Sequence, residues 1–413
     1  MKKLVLLFLF VFFIISVSAA PFVDIVSNQY SLSDEMTIII SGSDFGTKDE
    51  PLLWDEITNI GAYNSYSTAD GEIVPTNGVT GGGSSVNPLQ DCANCPWSSH
   101  VYGRVPRFYD SLNRRYAGHI SYESKNLANT DGRKGYFARD FDLPGTSGTT
   151  YLDWWVRSSH DLGVGQYGGV SGKFLRLWPG LSVLNQLIYA KVYSGGTEFF
   201  LSGNDCHDEA TSTVTYFSMP IAEWTHVAVV TEVESNSGTS YAIINGQYSG
   251  ELDHLCFGDG PYDYIRMMGY DPSISSNQYD DFEFLWGDVY FDKGMSRIII
   301  SESSEYNPYG NTNTNHYEMQ IPDSWLNDEI SLTVNKGGFS NGQTYYLFVV
   351  NENGEVSNAK PVSFSPGAIP DCSLTSASWS TTTADEGAQV TLTVNGNNCD
   401  GKQLDFELFD TDD

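Results

Sequence analysis

The strand pattern near the N-terminus stops before it can complete a domain, and this constrains the fold more than any other feature. Two short alternating segments, Val23–Val26 and Met36–Ile40, lead into Gly42–Gly46, and no third strand of the same kind follows. Two short strands cannot close a β-sandwich by themselves. Compatible segments return far downstream, at Arg297–Ile300, Ile330–Val334, Thr344–Val350 and Pro361–Phe364. The pattern therefore predicts a small all-β host domain that is interrupted by a long insertion, the guest.

The two halves of the predicted host resemble a known family. Gly42–Gly46 is similar to the Gly-x-Gly-Phe-Gly signature of IPT/TIG Ig-like domains, from which Ser43 and Asp44 depart. Gln320–Trp325 and Tyr346–Gly354 resemble the second half of such a domain. The resemblance implies an Ig-like β-sandwich with its first half at 21–50 and its second half at 293–366. Such domains are mostly binding or spacer modules, so the fold alone assigns no function.

Residues 51–292, the guest, show short alternating strands separated by Gly, Ser, Asn and Asp, with hardly any helical period. This pattern predicts a two-sheet sandwich or jelly roll. Trp54–Glu56, Glu223–Val230 and Trp286–Asp292 resemble the opening strand, a hairpin region and the closing strand of the concanavalin A-like lectin/glucanase (LamG-like) fold. The resemblance implies a jelly roll inserted in the host. Trp54 and Asp292 should then lie side by side.

The two ends of the chain carry further signals. Residues 1–20 combine Lys2 and Lys3, an apolar run and small residues, which is typical of a secretory signal peptide that is removed. No other apolar run is long enough to cross a membrane, so we expect a secreted or cell-surface protein that is not transmembrane after this removal. Residues 367–413 contain alternating segments at Gln389–Val394 and Leu404–Phe409. They predict an incomplete Ig-like module and a chain that continues in the native protein.

Composition excludes one class of partner. The net charge is −31, from 52 acidic and 21 basic residues. Binding to nucleic acid requires a basic surface, so nucleic acid is not an expected partner.

The six cysteines of this exported chain favour disulfides. Cys372 and Cys399 are predicted to pair. For the remaining four, the simplest of three connectivities joins Cys92 to Cys95 and Cys206 to Cys256. A zinc site that uses these cysteines with His207 and His254 is the less favoured alternative.

Three guest segments, Tyr151–Arg157, Lys173–Trp178 and Leu187–Tyr193, place aliphatic residues on one face and aromatic or charged residues on the other. Sugar rings stack on aromatic planes, while Arg, Lys and Asp recognise hydroxyls or a uronate carboxylate. Ordinary solvated sheet faces carry the same residue types, which is the alternative. The predicted partner is a polysaccharide or glycoconjugate, with the cell envelope as one setting. The predicted ligand-binding residues are Tyr151, Asp153, Trp155, Arg157, Arg176, Trp178, Tyr189, Lys191 and Tyr193.

Two other functions remain open. A lyase acting on a uronate glycan needs a cation and a proton-transferring Tyr or His. The candidate groups are Tyr189, Lys191, Arg176 and His226. The segment around Tyr189 is similar to the alginate-lyase motif Tyr-x-Lys-x-Gly-x-Tyr but departs from it at two positions. A purely structural adhesion protein is the third function, and the paired carboxylates of a glycosidase are not recognisable.

A structural calcium ion is also expected. The resemblance to the lectin fold implies a site that joins the first and last guest strands. Asp55, Glu56 and Asp288 are placed to supply its carboxylate oxygens. The alternative is that these acids only cap strand ends.

Overall fold

The structure is a computed structural model and shows an all-β protein. It describes residues 19–56, 95, 97, 99–101, 107–109, 113–125, 136–140, 148–158, 173–178, 188–192, 198–204, 212–218, 222–234, 237–256, 264–270, 283–310, 316–364, 373–385 and 387–397. Residues 1–18 of the predicted signal peptide lie outside the described part of the chain. No helix in the described ranges is long and apolar enough to cross a membrane.

The strands of the described residues pair antiparallel. In chain order they are β1 (Phe22–Val26), β2 (Thr37–Ser43), β3 (Leu53–Asp55), β4 (Ser99–Val101), β5 (Arg107–Tyr109), β6 (Ser121–Lys125), β7 (Tyr136–Asp140), β8 (Gly148–Ser158), β9 (Lys173–Trp178), β10 (Ile188–Val192), β11 (Glu198–Asn204), β12 (Ser212–Ser218), β13 (Thr225–Glu234), β14 (Ser237–Ile244), β15 (Gln247–Cys256), β16 (Tyr264–Tyr270), β17 (Glu283–Lys293), β18 (Arg297–Ser301), β19 (Tyr317–Trp325), β20 (Glu329–Thr333), β21 (Thr344–Val350), β22 (Lys360–Ser363), β23 (Ser373–Trp379) and β24 (Leu392–Asn397).

The host sheet joins strands from both ends of the sequence, in the order β1-β2-β20-β19-β18-β21-β22. The chain leaves this sheet after β2 and returns to it at β18. Alternation in β2 explains its position, because Ile38 and Ile40 are buried while Ile39 between them is 44% exposed. β19 pairs with β18 along its first half and with β20 along its second half, so it connects two layers around one core. That core includes Val23, Ile38, Phe45, Ile298, Leu332 and Val349.

The described strands of the guest form two sheets. The seven-stranded sheet has the order β12-β11-β10-β9-β16-β7-β4, and the eight-stranded sheet has the order β15-β14-β13-β8-β17-β6-β5. β14 and β15 are joined at Asn245 and Gly246, whose φ angles of 49° and 72° suit a tight hairpin turn. β3 pairs with β17, and Trp54 lies opposite Tyr290. The expected neighbouring position of the first and last guest strands is therefore present.

One face of the eight-stranded sheet packs against the host. Tyr151, Val230 and Tyr290 of the guest share a buried cluster with Ile299 and Phe348 of the host. Each buried side chain of this size contributes about 1.5–3 kcal/mol relative to an exposed one. Host and guest therefore share a hydrophobic core, which fixes the eight-stranded sheet against the host.

β23 and β24 form a separate two-stranded sheet. Leu374 and Trp379 on β23 are 53% and 44% exposed. Of the predicted C-terminal module, this hairpin is the part that the structure describes; residues 398–413 lie outside it.

Candidate functional site

The structure divides the predicted ligand-binding residues between two sheets. Tyr151, Asp153, Trp155 and Arg157 lie on β8 in the eight-stranded sheet. Arg176 and Trp178 on β9, with Tyr189 and Lys191 on β10, lie in the seven-stranded sheet. Tyr193 lies outside the described residues. The expectation that all of these residues share one sheet face is therefore wrong, because β8 pairs with β13 and β17 rather than with β9.

The four predicted residues of β8 are buried, and Tyr151, Asp153 and Trp155 contact the host. Tyr151 is 1% exposed, Asp153 3%, Trp155 7% and Arg157 9%. The predicted alternation in β8 is present, but its polar positions face other parts of the protein instead of solvent. Arg157 donates to the guest residues Ala222 and Asn113. No open surface remains on these four side chains for a sugar ring to stack on.

Asp153 is the centre of a buried hydrogen-bond network that joins guest and host. Its Oδ1 contacts Nε2 of His226 at 2.7 Å. Its Oδ2 accepts hydrogen bonds from the hydroxyls of Tyr151 and Tyr317, each at 2.8 Å. The two tyrosine hydroxyls are 2.9 Å apart. Because Tyr317 belongs to β19 of the host, the network satisfies the guest carboxylate with a host donor.

Arg115 makes a second connection, in an aromatic and acidic cage. Its guanidinium carbon lies 4.7 Å from the ring centre of Tyr116 and 4.5 Å from that of Trp155. Its nitrogens donate to Asp288 Oδ2 at 2.7 and 3.0 Å and to Glu318 at 2.6 and 2.9 Å. A planar, always charged guanidinium suits two carboxylates and two ring faces at once. The guest thus binds the host carboxylate Glu318 through a buried ion pair.

Glu318 is held by more than Arg115. It also contacts His316 Nε2 at 2.6 Å and accepts the Gly338 N–H at 2.8 Å. A Cβ at Gly337 would lie 2.2 Å from the carboxyl carbon of Glu318, so the close approach requires glycine there. Burial alone would raise the pKa of Glu318, but the charges and hydrogen bonds of Arg115 and His316 hold it well below its usual range. Burial would lower the pKa of His316, and Glu318 reverses this and raises it.

None of Arg115, His316 or Glu318 was predicted from the sequence as a site residue. Arg115 and Glu318 are separated by 203 positions, and neither belongs to a recognisable motif. Their pairing depends on how host and guest pack, which no local pattern carries.

The predicted calcium ligands lie close together but only partly suit a metal. Asp55 is opposite Val289, and Asp288 has a positive φ of 52° at an irregularity of β17. Oδ1 of Asp55 and Oδ1 of Asp288 are buried without a hydrogen-bond partner, which favours a cation. However, Arg115 and His119 already contact Oδ2 of Asp288. The described residues contain no group of three or more side chains that could hold a metal ion, so calcium stays a prediction.

Asp55 itself is held by neutral donors. Its Oδ2 accepts the Tyr122 hydroxyl at 2.5 Å and the indole N–H of Trp97. Burial raises the pKa of Asp55 to about 7, despite these hydrogen bonds. Glu56 accepts the Tyr116 hydroxyl at 3.1 Å. The first guest strand is thereby tied to the loop that carries Arg115.

Cys95 is buried and disulfide-bonded, which removes it from the alternative zinc site. Cys92, Cys206, Cys372 and Cys399 lie outside the described residues, and Cys256 ends β15. The connectivity of the predicted disulfides therefore stays open.

The remaining predicted residues come together in the register of the seven-stranded sheet. Arg176 lies opposite Tyr189 on β10 and opposite Arg266 on β16. In the next row of the same phase, Trp178 lies opposite Tyr264. These positions alternate with those of Leu175 and Ile265, which are 1% and 0% exposed. Arg266 and Tyr264 were missed from the sequence, although the segment Tyr264–Met268 shows the same alternation as β9.

The described residues define an all-β protein built from several antiparallel sheets. No protein-family model matches the chain, and no curated protein sequence matches it. The chain is similar to the receptor-binding domain of botulinum neurotoxin type G, with 10% identity over 63% of this chain and 72% of that one, at a TM-score of 0.31. It is similar to domain 4 of a GH43 extracellular arabinanase from Geobacillus stearothermophilus in complex with arabinotriose, with 11% identity over 48% of this chain and 84% of that one, at a TM-score of 0.30. An alginate lyase matches with 10% identity over 42% of this chain and 80% of that one, at a TM-score of 0.27.

Proposed function

We propose that the protein is an exported glycan-binding protein and that the seven-stranded guest sheet carries the binding face. The observation that supports this is the register of three strands. It aligns Arg176, Tyr189 and Arg266 in one row, next to a row with Trp178 and Tyr264. Leu175 and Ile265, at the alternate positions, are buried, so these rows belong to the face opposite that core.

The residue types favour an acidic sugar. Two arginines opposite each other on adjacent strands suit the planar carboxylate of a uronate, which accepts two parallel N–H donors. Neighbouring Trp178 and Tyr264 suit the C–H face of a pyranose ring. On a protein with a net charge of −31, a row with two arginines is a distinct place for an anionic chain to bind. The proposed ligand is therefore a uronate-containing polysaccharide or glycoconjugate.

Binding without cleavage is proposed, because the predicted lyase residues do not come together. Arg176, Tyr189 and Lys191 lie in the seven-stranded sheet, whereas His226 lies on β13 of the other sheet. His226 is 2% exposed and is bonded to Asp153. It is not available to exchange a proton with a bound glycan, so that set lacks its histidine.

The cellular location and the domain architecture of the protein are also part of the proposal. The leader-like residues 1–20 and a disulfide at Cys95 support export to the outside of the cell or its surface. An IPT/TIG-like host that presents a concanavalin A-like guest is the proposed architecture, and calcium near Asp55 is a proposed structural ion. We expect chelation to lower the melting temperature if that ion is bound.

Binding of the mature chain to a glycan array, run with and without chelator, tests the proposal. We expect selective binding to uronate-containing glycans. Arg176→Ala should weaken it at least about tenfold, because one charge-assisted hydrogen-bonding group is worth about 1.5–3 kcal/mol. Arg114→Ala is the matched control, since Arg114 is exposed and lies in a different part of the guest.

The same experiment separates the alternatives. If wild type and Arg176→Ala bind glycans with equal affinity, the binding site does not include β9. Failure of the folded protein to bind any glycan would leave the structural adhesion function. Release of unsaturated uronate products, followed by their ultraviolet absorbance, would restore the lyase.

A further inference from the structure

The chain crosses between host and guest twice, and the two crossings touch through a lysine and an aspartate. Lys48 lies between β2 of the host and β3 of the guest, and Asp292 lies near the end of β17, just before the return to the host. Lys48 Nζ contacts Asp292 Oδ2, and each side chain is only 5% exposed. The contact therefore joins the exit and the re-entry of the chain at one buried point.

The surroundings of this pair are largely aromatic. The ring of Tyr290 lies edge-on to Trp54 at 6.4 Å and to Tyr151 at 6.1 Å between ring centres. Its hydroxyl donates to Asp292 Oδ2 at 3.0 Å, and the backbone N–H of Lys293 donates to Asp292 Oδ1 at 2.9 Å. Beyond Asp292, Lys48 Nζ donates to the Asp49 carbonyl oxygen at 3.1 Å. Each atom of the carboxyl group is thus held in a fixed orientation against the amine.

Burial of this pair penalises the charged form of the Asp292 carboxyl group, because the carboxylate loses its contact with water. Burial raises the pKa of Asp292, although Lys48 and the hydrogen bonds oppose this. The Lys48 nitrogen and the Asp292 carboxyl group are the two functional groups that an amide bond joins, and they are already in contact.

We infer that Lys48 and Asp292 condense to an intramolecular isopeptide bond. This bond covalently joins the two crossings of the chain between host and guest. No activity assigned to the guest sheet is required for this. The supporting observation is the buried contact between amine and carboxyl group, together with donors placed on both carboxyl oxygens.

The reaction balances without an oxidant or cofactor. The lone pair of Lys48 Nζ attacks Cγ of Asp292, and the charge that develops on Oδ1 is stabilised by the Lys293 N–H. Oδ2 is contacted by the amine and by the Tyr290 hydroxyl, so it is the oxygen that receives the proton and leaves. One N–C bond forms, one C–O bond breaks, and one water departs with the carboxyl proton and one amine proton. Tyr290 passes a proton on and ends in its starting state.

Mass spectrometry of the reduced, denatured protein tests the inference. We expect the wild type to be lighter than its calculated mass by one water, and a proteolytic digest to contain a branched peptide joining Lys48 to Asp292. Lys48→Arg is the matched variant, because it keeps the positive charge beside Asp292 but has no amine that condenses in this way. It should have its full calculated mass and no branched peptide.

Tyr290→Phe tests the proton donor separately. It keeps the ring that packs on Trp54 and removes the hydroxyl, so we expect a smaller cross-linked fraction at equal times after synthesis. A wild-type protein with the full calculated mass and unbranched peptides would overturn the inference and leave a buried salt bridge. Loss of one water that persists in Lys48→Arg would also overturn it, because that result places the dehydration elsewhere.

Discussion

The two sheets of the guest carry the same kind of strand but meet different neighbours. β8 alternates Tyr151, Asp153 and Trp155 with aliphatic residues, and β9 alternates Arg176 and Trp178 with leucines. The polar positions of β8 are buried under the host, where His226 and the host hydroxyl of Tyr317 bond to Asp153. The equivalent positions of β9 line up with further Arg and Tyr positions within their own sheet.

This difference shows that an aromatic and charged strand face does not by itself identify a ligand-binding surface. Such a face is suited to any partner that offers hydroxyls, carboxylates and ring faces, and a second protein module offers all three. In β8 that partner is covalently part of the chain. We therefore expect substitutions on the eight-stranded sheet to change stability, and substitutions on the seven-stranded sheet to change binding.

Arg115→Ala gives the largest expected effect on the first side of this comparison. It leaves Asp288 and Glu318 buried without their shared cation, so the free energy of unfolding should fall by about 3–5 kcal/mol. Urea denaturation measures it. Arg114→Ala is the neighbouring control and should stay within about 0.5 kcal/mol of wild type. If Arg115→Ala remains as stable as wild type but loses glycan binding, the expected division between a stabilising sheet and a binding sheet is wrong.

Tyr317→Phe removes one hydroxyl from the interface and leaves the ring. That hydroxyl bonds Asp153 Oδ2 at 2.8 Å and Tyr151 at 2.9 Å. We expect a loss of about 1.5–3 kcal/mol in the free energy of unfolding, since a buried bond to an acid group is lost. Tyr346→Phe, on half-buried Tyr346 of the host, should cost less than about 0.5 kcal/mol in the same assay. Equal losses for the two variants would mean that the network contributes no more than an ordinary hydroxyl.

The smallest expected effect is a pH dependence from His316. Its pKa is raised above 6.5 by Glu318, so its stabilising contact is complete below that pH and is lost as the pH rises through the raised value. The stability difference between wild type and His316→Gln should be below about 1 kcal/mol and should shrink towards alkaline pH. Glu318 contributes in the opposite direction, and its lowered pKa keeps it ionised until the solution is strongly acidic. Thermal melts of both proteins at a series of pH values measure this, and a difference that grows with pH would contradict it.

Alternation predicted many of the strands. The expected insertion of the guest into the host predicted that β3 and β17 would be neighbours. Neither could predict which strands share a sheet, because β8 and β9 have the same local chemistry. The partners of β8 are set by hydrogen bonding to β13 and β17, far away in the sequence. Arg115 shows the same limit. Its contacts with Trp155, Asp288 and Glu318 require four separate segments of the chain to meet.

The position of the guest within the host also has a mechanical consequence. β1 and β22 belong to the host sheet, and the guest leaves and returns between β2 and β18. A stretching force applied to the chain on both sides of the host would be carried by hydrogen bonds such as those between β2 and β20. It would also be carried by the contact between Lys48 and Asp292. Tension would then pass from one end of the host to the other without stretching the guest, which would keep the guest sheets intact while the protein is under load.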